Sequence, residues 1–198
     1  MRELRTLEIG DAEGASAQAA SELAGRALRQ GLVDVAYVEV PSPFGDLMVA
    51  ATQRGLVRLA YPNEDRDGAL EELAGRVSPR ILEAPSRLDG VRRELEEYFE
   101  GKRQRFDFGV DYVLTRGFAE KVLRATARIP FGTVSTYREV ADRAGNDRAF
   151  RAAGNALGSN PIPIVVPCHR VVHTGGGLGG YTGGLDRKRF LLSLEGVL

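Results

Sequence analysis

Residues 136–158 read TYREVADRAGNDRAFRAAGNALG, and their spacing predicts two short helices joined by a glycine-containing turn. Thr136–Ala144 forms the first, closed by Gly145 as its C-cap. Arg148–Leu157 forms the second, with Asn146 or Asp147 available as its N-cap. Such a pair is a helix-turn-helix signal, although two-helix corners also occur as plain packing. The second helix carries Ala149, Ala152, Ala153, Gly154, Ala156 and Gly158. Side chains this small let a backbone lie close against another helix or a nucleic-acid groove.

Upstream, Phe118, Val122 and Ala125 stand at helical spacing, and Ile129-Pro130 ends that helix. Downstream, Leu185, Phe190, Leu191 and Leu194 resume a helix that runs to Glu195. The character before Asp111 is different. Val33–Val40, Asp46–Thr52 and Gly55–Tyr61 read as an antiparallel meander, the last two joined by a Gln53-Arg54 turn. Glu71–Val77 and Leu88–Phe99 read as helices, and Phe106–Val110 as a further strand. Residues 12–31 are Ala-rich, with Ala20, Leu23, Ala24, Ala27 and Leu28 on one helical face. This gives an α+β chain in three parts: an extension over 1–33, an α+β domain over 34–112 and a mostly helical domain over 115–198.

The 27 basic and 27 acidic side chains balance only on average. Residues 115–198 hold 12 basic against 6 acidic side chains, while residues 1–114 hold 15 against 21. A basic half beside an acidic one points to a polyanion-binding part and a non-binding part. Only three of the basic residues are Lys; the rest are Arg, which forks two hydrogen bonds to phosphate or stacks on a base. The bland reading is a genome that favours Arg codons. The longest apolar run, around Ile162–Cys168, is far short of the roughly 20 residues needed to cross a bilayer. No basic-then-apolar leader opens the sequence, and a cytoplasmic, reducing setting is expected. One Cys and two His exclude an internal disulfide and the usual Cys/His zinc site, so no metal is expected.

The single cysteine sits in NPIPIVVPCHRVV, residues 160–172. A lone cysteine is most often a small buried hydrophobe. Here Pro167 fixes the chain direction before Cys168, one of two histidines follows it, and a glycine-rich loop, Gly175–Gly184, lies close behind. Histidine or cationic neighbours lower a thiol pKa, and the thiolate is the nucleophile. The loop contains a Gly-x-Gly-x-x-Gly string, but no βαβ unit surrounds it and the dinucleotide reading is rejected. A backbone this bare hugs a flat ligand, with Tyr181 supplying a face; the alternative is a flexible surface loop. If Glu195 reaches His169, it orients the ring and favours its protonated form. A cysteine–histidine hydrolase is a competing reading, but nothing in the sequence marks its oxyanion hole.

Pro167-Cys168-His169-Arg170-Val171 resembles the active-site motif of the O6-alkylguanine-DNA alkyltransferases. The resemblance extends to Ile129–Tyr137 (IPFGTVSTY), Arg151–Ala156 (RAAGNA), Asn160–Pro163 (NPIP) and Gly179–Leu185 (GGYTGGL), with Lys188 and Glu195 in register. It is dense over 115–198 and present in outline over 34–114.

The resemblance implies a ribonuclease-H-like N-terminal scaffold with a small antiparallel sheet, and a winged-helix-like C-terminal domain. It implies single-turnover transfer of an alkyl group from O6-alkylguanine in DNA to Cys168, without a cofactor. O4-alkylthymine as a further substrate is left open. By similarity His169 acts through a water as base, Glu195 polarises it, Asn160 braces the segment and Tyr137 donates to the base. The base is flipped out of the duplex from the minor groove, and Arg151 fills the gap. Arg138 and Arg148 face phosphates, Ala152 and Leu157 belong to the recognition helix, and Val171, Tyr181, Thr182 and Lys188 to the substrate side. The protein is expected to act on double-stranded DNA as a monomer, with cooperativity on DNA left open and no membrane partner. The alternative is a non-catalytic, alkyltransferase-like lesion binder, a class that replaces the cysteine.

Overall fold

Residues 10–198 are described by the computed structural model; the first nine residues of the extension lie outside them. Strands β1 (Val35–Val40), β2 (Leu47–Thr52) and β3 (Gly55–Ala60) form an antiparallel meander, with Val38 opposite Val49 and Val49 opposite Leu59. Helix α2 (Arg66–Arg76) then carries the chain back, and β4 (Ile81–Glu83) pairs parallel with β1, Val35 opposite Ile81. The order is β3-β2-β1-β4. The sheet is therefore mixed, a correction to the antiparallel sheet expected. A three-residue strand two residues beyond Pro79 is too short to show a period in sequence.

Both faces of this sheet are covered, which explains why β1 alternates so poorly. Val35 packs with Ala50, Val57 and Leu73 of α2 on one side. Ala36, Val38 and Val40 join the main core on the other. Helix α3 (Pro85–Phe99) feeds that core with Leu88, Val91, Leu95 and Tyr98, spaced three and four apart. Pro85 suits its first turn, where the missing N–H costs nothing. The expected strand at Phe106–Val110 contributes a single bridge, Val110 to Leu56. Its approach requires Gly55 at φ +138°, because a Cβ there would lie 2.2 Å from the Gly109 carbonyl oxygen. Helix α1 (Gly10–Arg29) buries Ala24, and rests Ala27 and Leu28 against the main core.

The C-terminal part begins with α4 (Gly117–Thr126), which buries Val122, Leu123 and Ala125. Two short strands, β5 (Ser135–Thr136) and β6 (Val171–Val172), pair in parallel and clamp together the segments that flank the helix pair and the cysteine. Helix α5 (Tyr137–Arg143) opens with a capping box: Thr136 accepts from the Glu139 N–H, and Glu139 accepts from the Thr136 N–H. Helix α6 (Phe150–Gly158) packs on α4 and α5. Its N-cap is Ala149 without a side-chain bond, not Asn146 or Asp147. Asn146 instead accepts from the Arg148 N–H and closes the turn between the helices. Cys168–Arg170 form one 3₁₀ turn, and α7 (Leu185–Leu194) ends at Glu195.

One continuous core runs through both parts, from Val38 and Leu95 to Val122, Ile162 and Leu191. Polar contacts cross the same boundary. The Leu59 N–H donates to the Pro161 carbonyl at 2.9 Å, and the Tyr61 and Tyr181 hydroxyls meet at 2.6 Å. Among the described residues no helix is long and apolar enough to cross a membrane.

Candidate active site

A cleft of about 680 Å³ opens between α5, α6 and the 173–184 loop, and Cys168 is part of its wall. Tyr137, Arg138, Phe150, Arg151, Gly154, Leu157, Tyr181 and Thr182 line it too. Cys168 itself is 4% exposed. The backbone that presents it is unusual, since Ile164 sits at φ +71° in the tight turns after Asn160-Pro161. A β-branched residue is rarely held there. Asn160 ties this segment down. Its Nδ2 donates to the Val166 carbonyl at 2.9 Å and to Cys168 Sγ at 3.2 Å, and its Oδ1 accepts from the Ile162 N–H at 3.0 Å.

Behind the sulfur lies a buried ionic cluster. His169 is fully buried, and its Nε2 is 2.9 Å from Glu195 Oε1. Its Nδ1 has no hydrogen-bond partner among the described residues. The neutral ring therefore carries its proton on Nε2 and keeps a lone pair on Nδ1, an assignment drawn from this network. Arg170 donates from Nε to Glu195 Oε2 and from Nη2 to Oε1, both at 2.8 Å, and from Nη1 to the Ile129 carbonyl at 2.6 Å. Tyr98 Oη donates to Oε1 at 2.7 Å.

These contacts set the charges. Burial alone pushes the Glu195 carboxyl up, but the bonds from His169 and Arg170 outweigh it and hold the pKa at about 2. Burial lowers the His169 pKa despite the neighbouring carboxylate, so the ring is neutral at pH 7. Glu195 does pull toward the protonated ring, as its reach to His169 implied, but desolvation is the larger effect and the ring stays neutral. Burial also pushes the Cys168 thiol up to about 11, against the pull of Asn160 and Lys188. The thiol is thus not pre-ionised by its histidine neighbour, as adjacency in sequence suggested. It needs a proton acceptor, and a neutral buried imidazole is one.

Of the other residues read from sequence, Tyr137 stands at the first turn of α5, its ring 5.2 Å from that of His173. Arg138 and Arg151 lie over the exposed ring of Phe150 at the cleft mouth. Arg148 and Ala152 are exposed, while Leu157 is buried and still reaches the cleft wall. The Tyr181 ring stands nearly perpendicular to that of His169, 6.4 Å between centroids, and Thr182 Oγ1 donates to the Gly158 carbonyl at 2.6 Å. Val171 is buried in β6, its carbonyl taken by Lys188 Nζ at 2.6 Å. Lys188, read from the resemblance as a substrate-side residue, turns its ammonium onto backbone carbonyls instead. It is fully buried, and its ammonium also donates to the carbonyls of Leu178 and Gly180. Burial lowers its pKa to about 8. Arg170, Tyr98 and Tyr61 received no role from sequence. Arg170 was legible as a cation beside the histidine, but the two tyrosines lie 97 and 120 residues from their partners. Among the described residues no three His, Cys, Asp or Glu side chains group in a way that could hold a metal ion.

Residues 117–197 match the DNA-binding domain of the 6-O-methylguanine DNA methyltransferases, and residues 35–112 match their ribonuclease-like domain. The chain belongs to this family. Among curated relatives, the methylated-DNA–protein-cysteine methyltransferase of Methanosarcina barkeri is 37% identical over 163 residues, covering 80% of this chain and 96% of that one. The one from Mycolicibacterium paratuberculosis is 39% identical over 163 residues, covering 81% and 92%. Among solved structures, the Mycobacterium tuberculosis protein in complex with DNA superposes with a TM-score of 0.68 at 37% identity, covering 81% of this chain and 92% of that one. DNA is a partner of this methyltransferase, and the basic C-terminal half is its DNA-binding domain.

Proposed function

We propose that this protein repairs DNA by moving the alkyl group of O6-alkylguanine onto Cys168, once per molecule. The observation that carries the reading is the sulfur's position. It sits in the wall of an open cleft, held by Asn160, with a neutral His169 bonded to the Glu195 carboxylate behind it. The thiol proton passes through a water to His169 Nδ1. The sulfur then attacks the saturated alkyl carbon, and the carbon–oxygen bond breaks with its electron pair going to the purine oxygen. Tyr137 donates a proton to the purine as that charge grows. The thioether that remains is a poor leaving group, so turnover stops.

The target atom is out of reach inside a duplex, so the base is flipped into the cleft. The small face of α6 suits close approach to a minor groove, with Arg151 filling the vacated space. Arg138 and Arg148 contact phosphates. The protein acts as a monomer in the reducing cytoplasm, where a nucleophilic thiol survives. Incubation with a duplex carrying O6-methylguanine is expected to add one methyl mass to the peptide containing Cys168. An unshifted peptide after prolonged incubation with excess duplex rejects the reading.

A further inference from the structure

The carboxylate of Glu195 is served from both parts of the molecule. Its Oε1 takes three donors: His169 Nε2 at 2.9 Å, Arg170 Nη2 at 2.8 Å and Tyr98 Oη at 2.7 Å. Its Oε2 takes Arg170 Nε at 2.8 Å and, at 3.4 Å, the Gly132 N–H. Among the described residues, Tyr98 alone of these donors comes from the N-terminal part, on the last turn of α3.

The Tyr98 ring is completely buried and boxed by Phe99, Phe106 and Phe131 at 5.4–6.3 Å between centroids. A phenylalanine would fill that box without a polar group to satisfy. The hydroxyl bonds to the same oxygen that receives the histidine proton. Packing therefore accounts for the ring, and the hydroxyl is accounted for only by the carboxylate.

We propose that Tyr98 is a positioning residue of the alkyl-transfer site: its hydroxyl fixes Glu195 Oε1 against His169, so that the N-terminal part completes the proton relay. The inference rests on the function proposed above. The donor has two effects. It holds the carboxylate orientation that aims the imidazole. It also drains charge from Oε1, which tempers the carboxylate's pull on the Nε2 proton and sets the basicity of Nδ1. The charged or titratable groups facing this pair are Arg170, Tyr98, Lys188 and Tyr181. Of these, Tyr98 and Arg170 bond Glu195 directly, and only Tyr98 does so as a neutral donor.

The test is single-turnover methyl transfer to the full chain from an O6-methylguanine duplex, followed across pH. In Tyr98→Phe the plateau rate is expected to fall roughly threefold to tenfold, and the acid limb to move up by roughly half a unit or more, as an untempered carboxylate makes the imidazole more basic. In a His169→Gln background the same Tyr98→Phe change is expected to have no further effect, because its route runs through the imidazole. Replacing Tyr98 with 3,5-difluorotyrosine keeps the shape and strengthens the donor, so the limb is expected to move down. That variant decides the matter if Tyr98→Phe fails to fold. An unmoved limb in the fluorinated protein, or an equal loss in both backgrounds, overturns the proposal. Wild-type chain that never gains a methyl on Cys168 overturns instead the reading on which it rests.

Discussion

Cys168 and Lys188 show how far burial departs from adjacency in setting a residue's chemistry. The motif Pro167–Val171 marked the reacting centre in the sequence. It did not mark the protonation states, which depend on what closes over the side chains. His169 is held below its ordinary pKa by desolvation, so the base form persists below pH 6.5. Methyl transfer is therefore expected to hold its rate from pH 8 down past 6.5 and to fall only at lower pH, where the ring protonates. A single-turnover pH profile measures this, and a limb above 6.5 contradicts it. The same shift has a sign for stability. Below pH 6.5 the unfolded chain binds the His169 proton more tightly than the folded one, so stability is lost as pH falls through that range. Lys188 follows from its three carbonyls. Lys188→Met removes a buried cation but strands the acceptors of Val171, Leu178 and Gly180, and is expected to cost roughly 1–3 kcal/mol in denaturant melts. Lys188→Arg is expected to fare no better, because a planar fork does not fit a fully enclosed site.

Among the elements, the 173–184 loop carries a glycine with a specific geometric reason at the active site. Gly179 lies at φ +71°, and a Cβ there would fall 2.6 Å from Tyr137 Oη. Gly179→Ala is expected to displace Tyr137 and slow methyl transfer roughly tenfold or more while leaving duplex affinity nearly intact. Gel-shift affinity beside single-turnover rate separates the two. An equal loss in both would place Gly179 in DNA binding instead. The sequence disclosed this loop as glycine-rich and near the cysteine, but not which glycine touches what. It disclosed the meander, the long helix ending at Phe99 and the two helices around Gly145, because each carries several residues of one period. It missed β4, which has three residues, and misplaced the α6 cap, because Ala149 leaves no side-chain signal. A strand was expected at Phe106–Val110, and the chain there makes one bridge instead. Local pattern fixes elements of two turns or more, whereas a single bridge depends on Gly55, far upstream in the chain.

At the scale of the whole molecule, both parts share one core, and the reacting sulfur is embedded in it. Tyr61 and Phe44 belong to the N-terminal part, and they meet Tyr181, Phe190 and Arg187 across the boundary. The wall of the cleft is thus supported from outside the DNA-binding domain. Tyr61→Phe removes one hydroxyl from the Tyr61–Tyr181 pair and leaves the half-buried Tyr181 hydroxyl without its partner. It is expected to lower the melting temperature by roughly 2–8 °C, for a destabilisation of about 1–2 kcal/mol. It is also expected to change the rate for bulky O6-alkyl groups more than for methyl, which single-turnover rates with methyl and benzyl duplexes would compare. Alkylation itself tests the shared core more severely. Cys168 is 4% exposed, and Asn160 Nδ2 already lies 3.2 Å from its sulfur. A methyl added there has to displace neighbours, and overpacking of this kind costs about 1–3 kcal/mol. The new methyl also breaks the hydrogen bond from Asn160 to the sulfur, so the spent protein is expected to melt roughly 4–12 °C below the unreacted one. Because the core is continuous, both parts are expected to unfold together in a single calorimetric transition. Equal melting temperatures before and after reaction would mean that the sulfur has room to spare, and two separate transitions would mean that the boundary between the parts carries less of the stability than its packing implies.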